Sequence, residues 1–312
     1  RVPALFHLRP VIERAGMLNE ADQVTSMVYE FPELKGVMGR EYALRNGEDP
    51  EVALAIYEQV LPRFAGDVLP TSPAGAVLGL VDRADSLVGC FKVGLVPTGS
   101  QDPYALRRAA RNINEILWNL DLDIDLLPVF KDLAASLDAP GETMEAVRDF
   151  FIQRLQVQLR EKGFSHGLVC LGVQLMWNRP CQVQKILNGY AAVQGQEWFK
   201  GLVTAAVRVK NILSKAGAFS PEIREEIFTQ EEEASLYQAV SSLEPQVEEA
   251  LKRKAWNEVT ALLARLEPAI TRFFDKVLVM DENSSVRENR LALLSRCQDL
   301  FMSVGDLGLL KE

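Results

Sequence analysis

The sequence predicts an all-α protein made of several helical bundles, and three observations support this fold class. Apolar residues recur with the 3.6-residue period of an α-helix in nearly every long segment, as Val52, Ile56 and Val60 do at four-residue spacing. Helix start and stop residues separate these segments. No segment combines sustained period-2 alternation with turn residues, and the one strand-like run, Phe273 to Met280, is interpreted as a helix end followed by a loop.

Five helices are predicted in the first part of the chain. Asn46-Gly47 is typical of a helix end. Asp102 is predicted to be an N-cap, with Pro103 at the first helical position, where its missing N–H costs nothing. The predicted helices are Arg9 to Glu30, Pro32 to Asn46, Pro50 to Phe64, Pro73 to Val88 and Pro103 to about Leu120. We expect Asp121 to Asp125 to be a linker that ends the first compact unit.

Helices also dominate the rest of the chain. They are predicted at Met144 to Arg160, Leu168 to Trp177, Cys181 to Gln194, Trp198 to Ser214, Gln230 to Ser241, Val247 to Phe274 and Ser285 to Val304. Ser285 and Glu288 have the spacing of a capping box, which predicts the start of the last helix. The acidic run Glu231 to Glu233 is interpreted as a solvated helix face.

The bulk composition is that of an ordinary globular protein. The chain has 312 residues, 48% apolar and 25% charged, which is long enough for two or three domains. No window approaches the 18 apolar residues of a membrane span. Four cysteines without a C-x-x-C pair, and only two histidines, argue against structural zinc and favour a reducing compartment. The apolar start without Met is interpreted as that of a piece of a longer polypeptide.

The charge distribution is uneven, although the net charge is −9. From Phe151 to Lys215 there are nine basic residues and two acidic ones, so this segment carries 9 − 2 = +7. A cationic segment between acidic flanks fits a protein that binds a polyanion on one surface and stays soluble elsewhere.

A second cationic feature is the predicted helix after Pro103. Helical spacing places Tyr104, Arg107, Arg108 and Arg111 on the side opposite its apolar residues. Three guanidiniums and a phenol on one face suit a phosphate or RNA surface. A solvated face, or ion pairs with nearby acidic residues, are the alternatives.

The amino-acid sequence of this region also resembles a family signature. Thr98-Gly-Ser-x-Asp-Pro-x-x-Leu-Arg-Arg108 closely resembles a signature of the β subunit of bacterial-type glycyl-tRNA synthetase. Further stretches resemble the same family in the same order. They are Thr25 to Ala43, Leu61 to Ala76 with Val81 to Leu87, Ala206 to Leu213, and Phe273 to Met280 with Val286 to Leu294.

The resemblance implies a domain organisation. Residues 1–135 would form a helical HD-type domain, 136–195 a helical linker, and 196–312 a DALR-type anticodon-binding domain. An active HD hydrolase needs a His-Asp pair, and the matching position here is Ala21-Asp22. We therefore expect a degenerate HD-like domain without metal, in which Asp82, Arg83 and Asp85 are packing or ion-pair residues.

The resemblance also implies a role. In this α2β2 family the α subunit makes glycyl-adenylate from glycine and ATP, and the β subunit recognises tRNA(Gly). The chain would be the C-terminal part of β, near the acceptor arm and anticodon, with α as a separate partner or fused. ATP and magnesium would bind at the α active site, and this chain would hold no cofactor or catalytic residue. A cytoplasmic location is implied, or a plastid one in a plant.

Candidate RNA-binding residues follow from the charge pattern and from the family resemblance. They are Tyr104, Arg107, Arg108, Arg111, Arg160, Arg179, Arg208, Lys210, Arg287, Asn289 and Arg290. Arg287 and Arg290 would lie on the first turns of the last helix, where backbone N–H groups also favour a phosphate. Phe273, Phe274 and Trp198 could stack with bases, but packing in the core is the favoured interpretation. The alternatives for the whole chain are an HD-type phosphohydrolase, the anticodon-binding end of an arginyl-type synthetase, and a helical scaffold.

Overall fold

The computed structural model describes residues 3–97 and 102–311. Within these ranges the chain forms fifteen α-helices and a few short 3₁₀ turns, with no β-strand, which confirms the all-α prediction. Contacts between residues divide the chain into two compact units. The first unit comprises Arg1–Gln158 with Asn178–Cys181, and the second comprises Leu159–Trp177 with Gln182–Glu312. The predicted boundaries near 135 and 195 stay predictions.

The first unit contains seven complete helices and most of an eighth. They are α1 (Arg9–Leu18), α2 (Ser26–Glu30), α3 (Val37–Arg45), α4 (Pro50–Glu58), α5 (Pro73–Lys92), α6 (Leu106–Asn119), α7 (Leu126–Ser136) and α8 (Gly141–Glu161) as far as Gln158. Side-chain caps begin several of them: Asp49 accepts from the backbone N–H of Glu51, and Ser72 accepts from that of Gly75. Such caps satisfy N–H groups that have no partner within the helix.

Small apolar residues form the core where α1, α3, α4 and α5 pack together. Ala15, Ala53 and Ile56 are almost completely buried there, with Leu78 from α5. Gly39 on α3 faces α4 so closely that a Cβ at this position would lie 2.7 Å from Ile56 Cγ2. Glycine and alanine therefore set the short distance between these helices.

The first predicted helix, Arg9 to Glu30, is interrupted in the structure. α1 ends at Leu18 and α2 begins only at Ser26. Between them the buried Asp22 turns its carboxylate inward, and Oδ2 accepts from the backbone N–H groups of Gly36 (2.7 Å) and Gly39 (3.0 Å). These hydrogen bonds fix the segment between α1 and α2 to the start of α3, and the apolar period alone overestimated the length of the helix.

The start of α6 also differs from the prediction. The helix begins at Leu106 instead of Pro103, because Ala105 adopts a left-handed conformation with φ of 56°. Asp102 still caps the backbone, since its carboxylate accepts from the N–H of Arg107 at 3.1 Å. A turn therefore separates Asp102 from the helix. The signature residues 98–101 lie outside the described residues.

Three further differences concern helix ends in the first unit. α4 ends at Glu58, before the predicted Phe64, and α5 continues beyond Val88 to Lys92 because Phe91 is buried. The predicted linker after Leu120 leads directly into α7, which was not predicted. Leu126 and Phe130 of α7 are fully buried, so this helix is part of the first unit.

The second unit is a bundle in which α11 packs against α14 and α15, and α12 packs against α13, α14 and α15. Its helices are the end of α8, α9 (His166–Met176), α10 (Pro180–Val193) from Gln182 onward, α11 (Glu197–Leu213), α12 (Glu231–Lys252), α13 (Trp256–Ala264), α14 (Glu267–Lys276) and α15 (Ser284–Val304). Val209, Leu236, Ile270, Phe273 and Leu293 are fully buried in this bundle. In the part of the chain that the structure describes, no helix combines the length and the apolar character that crossing a membrane requires.

Several helix boundaries in the second unit differ from the predicted ones. α12 continues through Pro245, where a break was predicted, because Leu243 and Val247 on either side are buried. The predicted helix Val247 to Phe274 is divided into the end of α12, α13 and α14. α14 ends at Lys276 and a loop follows, as expected.

The predicted capping box at Ser285 and Glu288 is wrong. Asn283 caps α15 instead, since its side-chain oxygen accepts from the backbone N–H groups of Ser285 (3.0 Å) and Val286 (3.4 Å). A capping box does occur at the start of α12, between Gln230 and Glu233.

Candidate nucleic-acid interface

An open groove of about 460 Å³ runs along α11 in the second unit. We call it the α11 groove, and it is lined by Thr204, Val207, Arg208, Asn211, Ile212, Lys215, Met280 and Lys311. Thr204, Arg208, Asn211 and Lys215 recur at three- or four-residue spacing, so one stripe of the α11 segment and its C-terminal continuation forms a wall. Among the described residues, the lining contains three cations and no acidic residue, which makes the groove locally positive.

The guanidinium of Arg208 stacks on an aromatic ring. Its guanidinium carbon lies 4.3 Å from the centroid of Phe274, and Nη2 lies 3.5 Å from the backbone oxygen of the same residue. Phe274 is itself buried against Phe273, so burial confirms the interpretation of these two rings as core residues. A guanidinium stacked on a fixed ring loses little further freedom when it binds a ligand.

The two lysines of the groove carry uncompensated charge. Lys215 and Lys311 are exposed, and neither forms an ion pair within the described residues. Val207, Ile212 and the half-exposed Met280 add apolar surface beside these cations. A groove with cations next to apolar surface can hold a phosphate and the unpaired base attached to it.

Lys210 and Arg287 lie on the second unit but are engaged within it. Lys210 Nζ is 2.6 Å from Asp306 Oδ2, although the lysine remains exposed. Arg287 Nη1 donates to the backbone oxygen of Asp281 at 2.8 Å. Both positions remain accessible to a ligand, but neither lines the α11 groove.

Arg290 and Asn289, which were predicted to contact RNA, are buried in the bundle and have structural roles instead. Each side chain is only 2% exposed. Arg290 Nε donates to Glu233 Oε1 at 3.0 Å, and Nη1 donates to Asp281 Oδ2 at 2.8 Å. Asn289 binds the backbone of Arg224 through both its oxygen and its nitrogen. Arg290 lies at helical spacing from Leu293 and Cys297, so it belongs to the stripe of α15 that faces the bundle.

Glu233 provides the other half of this buried network. It is fully buried, which corrects the interpretation of Glu231 to Glu233 as a solvated face. Glu233 Oε2 accepts from the backbone N–H groups of Thr229 and Gln230, both at 2.9 Å, and Oε1 faces Arg290. The charged pair therefore joins the start of α12 to α15 and satisfies nearly all of its hydrogen-bonding groups.

In the first unit, the three arginines of α6 differ in exposure. Arg108 is exposed, whereas Arg107 and Arg111 are half-buried. Arg111 Nε is 2.8 Å from Glu115 Oε1. The pKa of Arg154 is lowered mainly by burial, and the nearby positive charge of Arg107 lowers it further. Arg108 lines a groove of the first unit together with the exposed Tyr104.

The remaining predicted cations are divided between the units. Arg179 belongs to the first unit and pairs with Asp123 at 3.1 Å and Asp125 at 3.5 Å, so its charge is largely compensated. Arg160 belongs to the second unit and is exposed at the end of α8. The cationic segment of the sequence is thus divided between two separate bodies.

The acidic residues at the positions that the HD-type resemblance indicated are hydrogen-bonded to the backbone or exposed. Asp22 directs Oδ2 to two backbone N–H groups, while Asp82 and Asp85 are exposed on α5. Arg83 is buried as expected, and it donates to the backbone oxygens of Leu61 and Gly79, both at 2.8 Å. Among the described residues, no group of three or more His, Cys, Asp or Glu side chains could hold a metal.

Sequence reasoning missed several residues of the α11 groove. The stripe along α11 could have indicated Asn211 and Lys215, because both follow Arg208 at helical spacing. Lys311 and Met280 carry no such signal, since they come from segments about 100 and 70 residues further along the chain and meet α11 only after folding.

Comparison with known proteins identifies the class of the second unit. A family model described as "DALR anticodon binding domain" matches residues 202–307, which include most of the groove-lining residues. A second model, described as "Glycyl-tRNA synthetase beta subunit", matches residues 3–171, more than half of the chain. The chain belongs to the glycyl-tRNA synthetase beta subunit family, which confirms the resemblance.

Curated relatives agree with this assignment. The glycine–tRNA ligase beta subunit of Desulforudis audaxviator is 42% identical over 311 residues, covering 96% of this chain and 44% of the relative. Those of Desulforamulus reducens and Pseudomonas putida KT2440 are 39% and 40% identical over 308 residues, covering 96% and 95% of this chain. The chain covers 44% of each of these relatives, which is less than half their length.

Proposed function

We propose that this chain is the tRNA-recognition part of a glycine–tRNA ligase beta subunit. In this proposal the α11 groove binds unpaired nucleotides of the anticodon region of tRNA(Gly). The observation that carries the proposal is the acid-free groove in which Arg208 is fixed on Phe274 beside Lys215 and Lys311. The match of residues 202–307 to an anticodon-binding family supports it.

The physical basis of binding is the pairing of cations with phosphates. Each phosphate neutralised by a lysine or arginine releases condensed counterions, which favours binding at low salt. The planar guanidinium of Arg208 can also stack with an unpaired base or bind two phosphate oxygens. Apolar surface from Val207, Ile212 and Met280 would then exclude water from one side of the base.

Catalysis belongs elsewhere in this proposal. The alpha subunit, or an alpha portion fused to the same polypeptide, would activate glycine with ATP and magnesium, and this chain would position the tRNA in the cytoplasm or plastid. Of the candidate RNA contacts, Arg208 has the strongest support, followed by Lys210, Arg287, Arg160 and the α6 residues Tyr104, Arg107, Arg108 and Arg111, and last Arg179, because two acidic residues pair with it.

The test compares two triple variants of the full-length protein. One carries Arg208→Ala, Lys215→Ala and Lys311→Ala in the α11 groove. The other carries Arg265→Ala, Arg272→Ala and Lys276→Ala, which remove the same charge from exposed positions of the second unit outside the groove. We expect the first variant to bind tRNA(Gly) at least tenfold more weakly and the second to bind normally. Equal affinity of the two variants would disprove the role of the groove.

A further inference from the structure

The first unit has a groove of its own, and two of its lining residues, Tyr104 and Arg108, are among the candidate RNA contacts without an assigned ligand group. We call it the α6 groove, and its volume is about 550 Å³. Two exposed aromatic rings line it: Phe64 is 57% exposed and Tyr104 is 53% exposed. The two residues lie 40 positions apart in the chain, so the fold brings both rings to one groove. Exposed rings that share a groove provide flat apolar surface on which an unpaired base can stack.

One cation of this groove has no partner. Arg108 is exposed, and no ion pair involves it in the described ranges. Two other cations of the groove are paired: Arg63 Nε lies 2.8 Å from Asp67 Oδ2, and the half-buried Lys35 has its Nζ 3.1 Å from Glu20 Oε1. Arg108 is therefore the group available to bind a phosphate.

Acidic residues limit how much negative charge the groove can accept. Glu33 and Asp82 are both part of the lining, whereas the α11 groove has no acidic residue. A ligand with several adjacent phosphates would be repelled by these carboxylates. A single phosphate at Arg108 would avoid this repulsion, and the carboxylates could accept hydrogen bonds from the amino or hydroxyl groups of one nucleotide.

The floor of the groove is held rigidly. The buried Arg83 donates to the backbone oxygens of Gln59 (2.9 Å) and Leu61 (2.8 Å), and Asn112 Nδ2 donates to that of Pro62 at 2.9 Å. A Cβ on Gly79 would lie 2.7 Å from the oxygen of Gln59, so α5 and this segment are in close contact. The groove is thus largely formed before a ligand binds, which lowers the entropic cost of binding.

From this geometry we infer that the α6 groove binds one unpaired nucleotide of RNA, with the base stacked on Tyr104 or Phe64 and its phosphate on Arg108. The inference rests on the proposed function insofar as RNA is the ligand. It adds a second RNA contact, which lies on the first unit. Here one cation and two aromatic rings would bind a single phosphate and its base, whereas the α11 groove offers several cations.

The experiment measures binding of a fluorescent, 5′-phosphorylated oligoribonucleotide of about four adenosines to the full-length protein that carries Arg208→Ala, Lys215→Ala and Lys311→Ala, so that the α11 groove does not contribute to binding of the probe. The groove variants are Tyr104→Ala and Arg108→Glu. Tyr29→Ala and Arg45→Glu are the matched controls, because both residues are exposed on the first unit and neither lines the α6 groove. We expect about tenfold weaker binding for each groove variant, and no change for the controls. All four side chains are exposed, and circular dichroism verifies that the variants fold.

Competition separates the sources of the nucleotide. A blunt-ended RNA duplex that is long enough to stay paired should fail to displace the oligonucleotide, since its bases are already stacked. Displacement by AMP at the same concentration would assign the groove to free mononucleotides and overturn the inference, as would unchanged binding in both groove variants. The α11 triple variant keeps the two proposals apart: normal tRNA binding by it rejects the proposed function, whatever the α6 variants do.

Discussion

At the scale of single residues, the most consequential side chains are buried charges in a bundle of otherwise apolar packing. Arg290 and Glu233 bind each other while both are almost completely removed from water. Pairs of this kind are costly to break, because the remaining partner keeps its charge without compensation. Their position at the start of α12 and in α15 means that they specify how these helices meet.

Replacing Arg290 by Met should destabilise the second unit by about 3–5 kcal/mol, since Glu233 would be left charged and unpaired. Hydrogen exchange of the backbone amides of α12 and α15 measures the loss of stability directly. Arg272→Met, at an exposed position, is the control. Combining Arg290→Met with Glu233→Gln should restore part of the stability. A cost below about 1 kcal/mol for Arg290→Met would contradict this account.

Glu58 provides a pH-dependent contribution in the first unit. Its burial would raise the pKa, but hydrogen bonds from the hydroxyl and backbone N–H groups of Ser72 and Thr71 outweigh burial and hold the pKa below its ordinary value of 4.5. Because the pKa is lower in the folded state, the stabilisation is complete above about pH 4.5 and is lost as the pH falls through the folded value.

We therefore expect the start of α5 to lose protection against hydrogen exchange in this acidic range, after correction for intrinsic exchange rates. Glu58→Gln should be less stable at neutral pH and should show little further change on acidification. If wild type and Glu58→Gln responded to acid in the same way, Glu58 would not be the group responsible.

At the scale of elements, close helix contacts depend on residues without side chains. Gly39 lets α3 approach α4. A Cβ at this position would contact Ile56 of α4 and the carboxylate of Asp22. In contrast, Gly141 at the start of α8 faces open space, and a Cβ there would meet no atom within 4 Å. The two glycines thus form a natural comparison between a packed position and an open one.

Gly39→Ala should cost about 1–3 kcal/mol, because the added methyl group overlaps Ile56 and forces α3 and α4 apart. Exchange protection of the α3 and α4 amides reports this change. Gly141→Ala should leave stability unchanged or slightly raise it, since alanine restricts the unfolded chain. An equal effect of the two substitutions would mean that helix propensity, and not the close contact, determines the outcome.

At the scale of the whole molecule, local charge matters more than the total. The chain carries a net charge of −9, yet the lining of the α11 groove is free of acidic residues. Charges on exposed surfaces act over about 8 Å at physiological salt, so acidic residues elsewhere on the surface weaken a phosphate contact only slightly. An acidic protein can therefore bind RNA through a cationic groove.

Salt dependence tests this view. A plot of the logarithm of tRNA affinity against the logarithm of salt concentration should lose about one unit of slope for each phosphate contact removed. The α11 triple variant should therefore have a slope shallower by about three. The control triple variant lowers the net charge equally, from −9 to −9 − 3 = −12, and should keep the wild-type slope. Matching slopes for the two variants would indicate that net charge governs binding.

The presence of a helix was easier to predict from the sequence than the residues at which it begins and ends. The apolar period located most of the helices, but it missed α7 and joined α1 to α2 across the loop of Asp22. Caps such as Asn283 and the left-handed Ala105 depend on local hydrogen bonds and backbone geometry, which periodicity does not report. For the candidate interface, Arg208 was predicted, whereas Lys311 was not, because its neighbours are about 100 residues away in the chain.

The amino-acid sequence by itself determined the all-α class, the family resemblance and the cationic segment from Phe151 to Lys215, since periodicity, motifs and local charge are properties of neighbouring residues. Only the tertiary structure decided which charges are available to a ligand. It buries Arg290 against Glu233, and it leaves Arg108 exposed beside Phe64 and Tyr104. The reason is physical: burial and charge pairing depend on contacts between segments far apart in the chain, and those contacts exist only after folding.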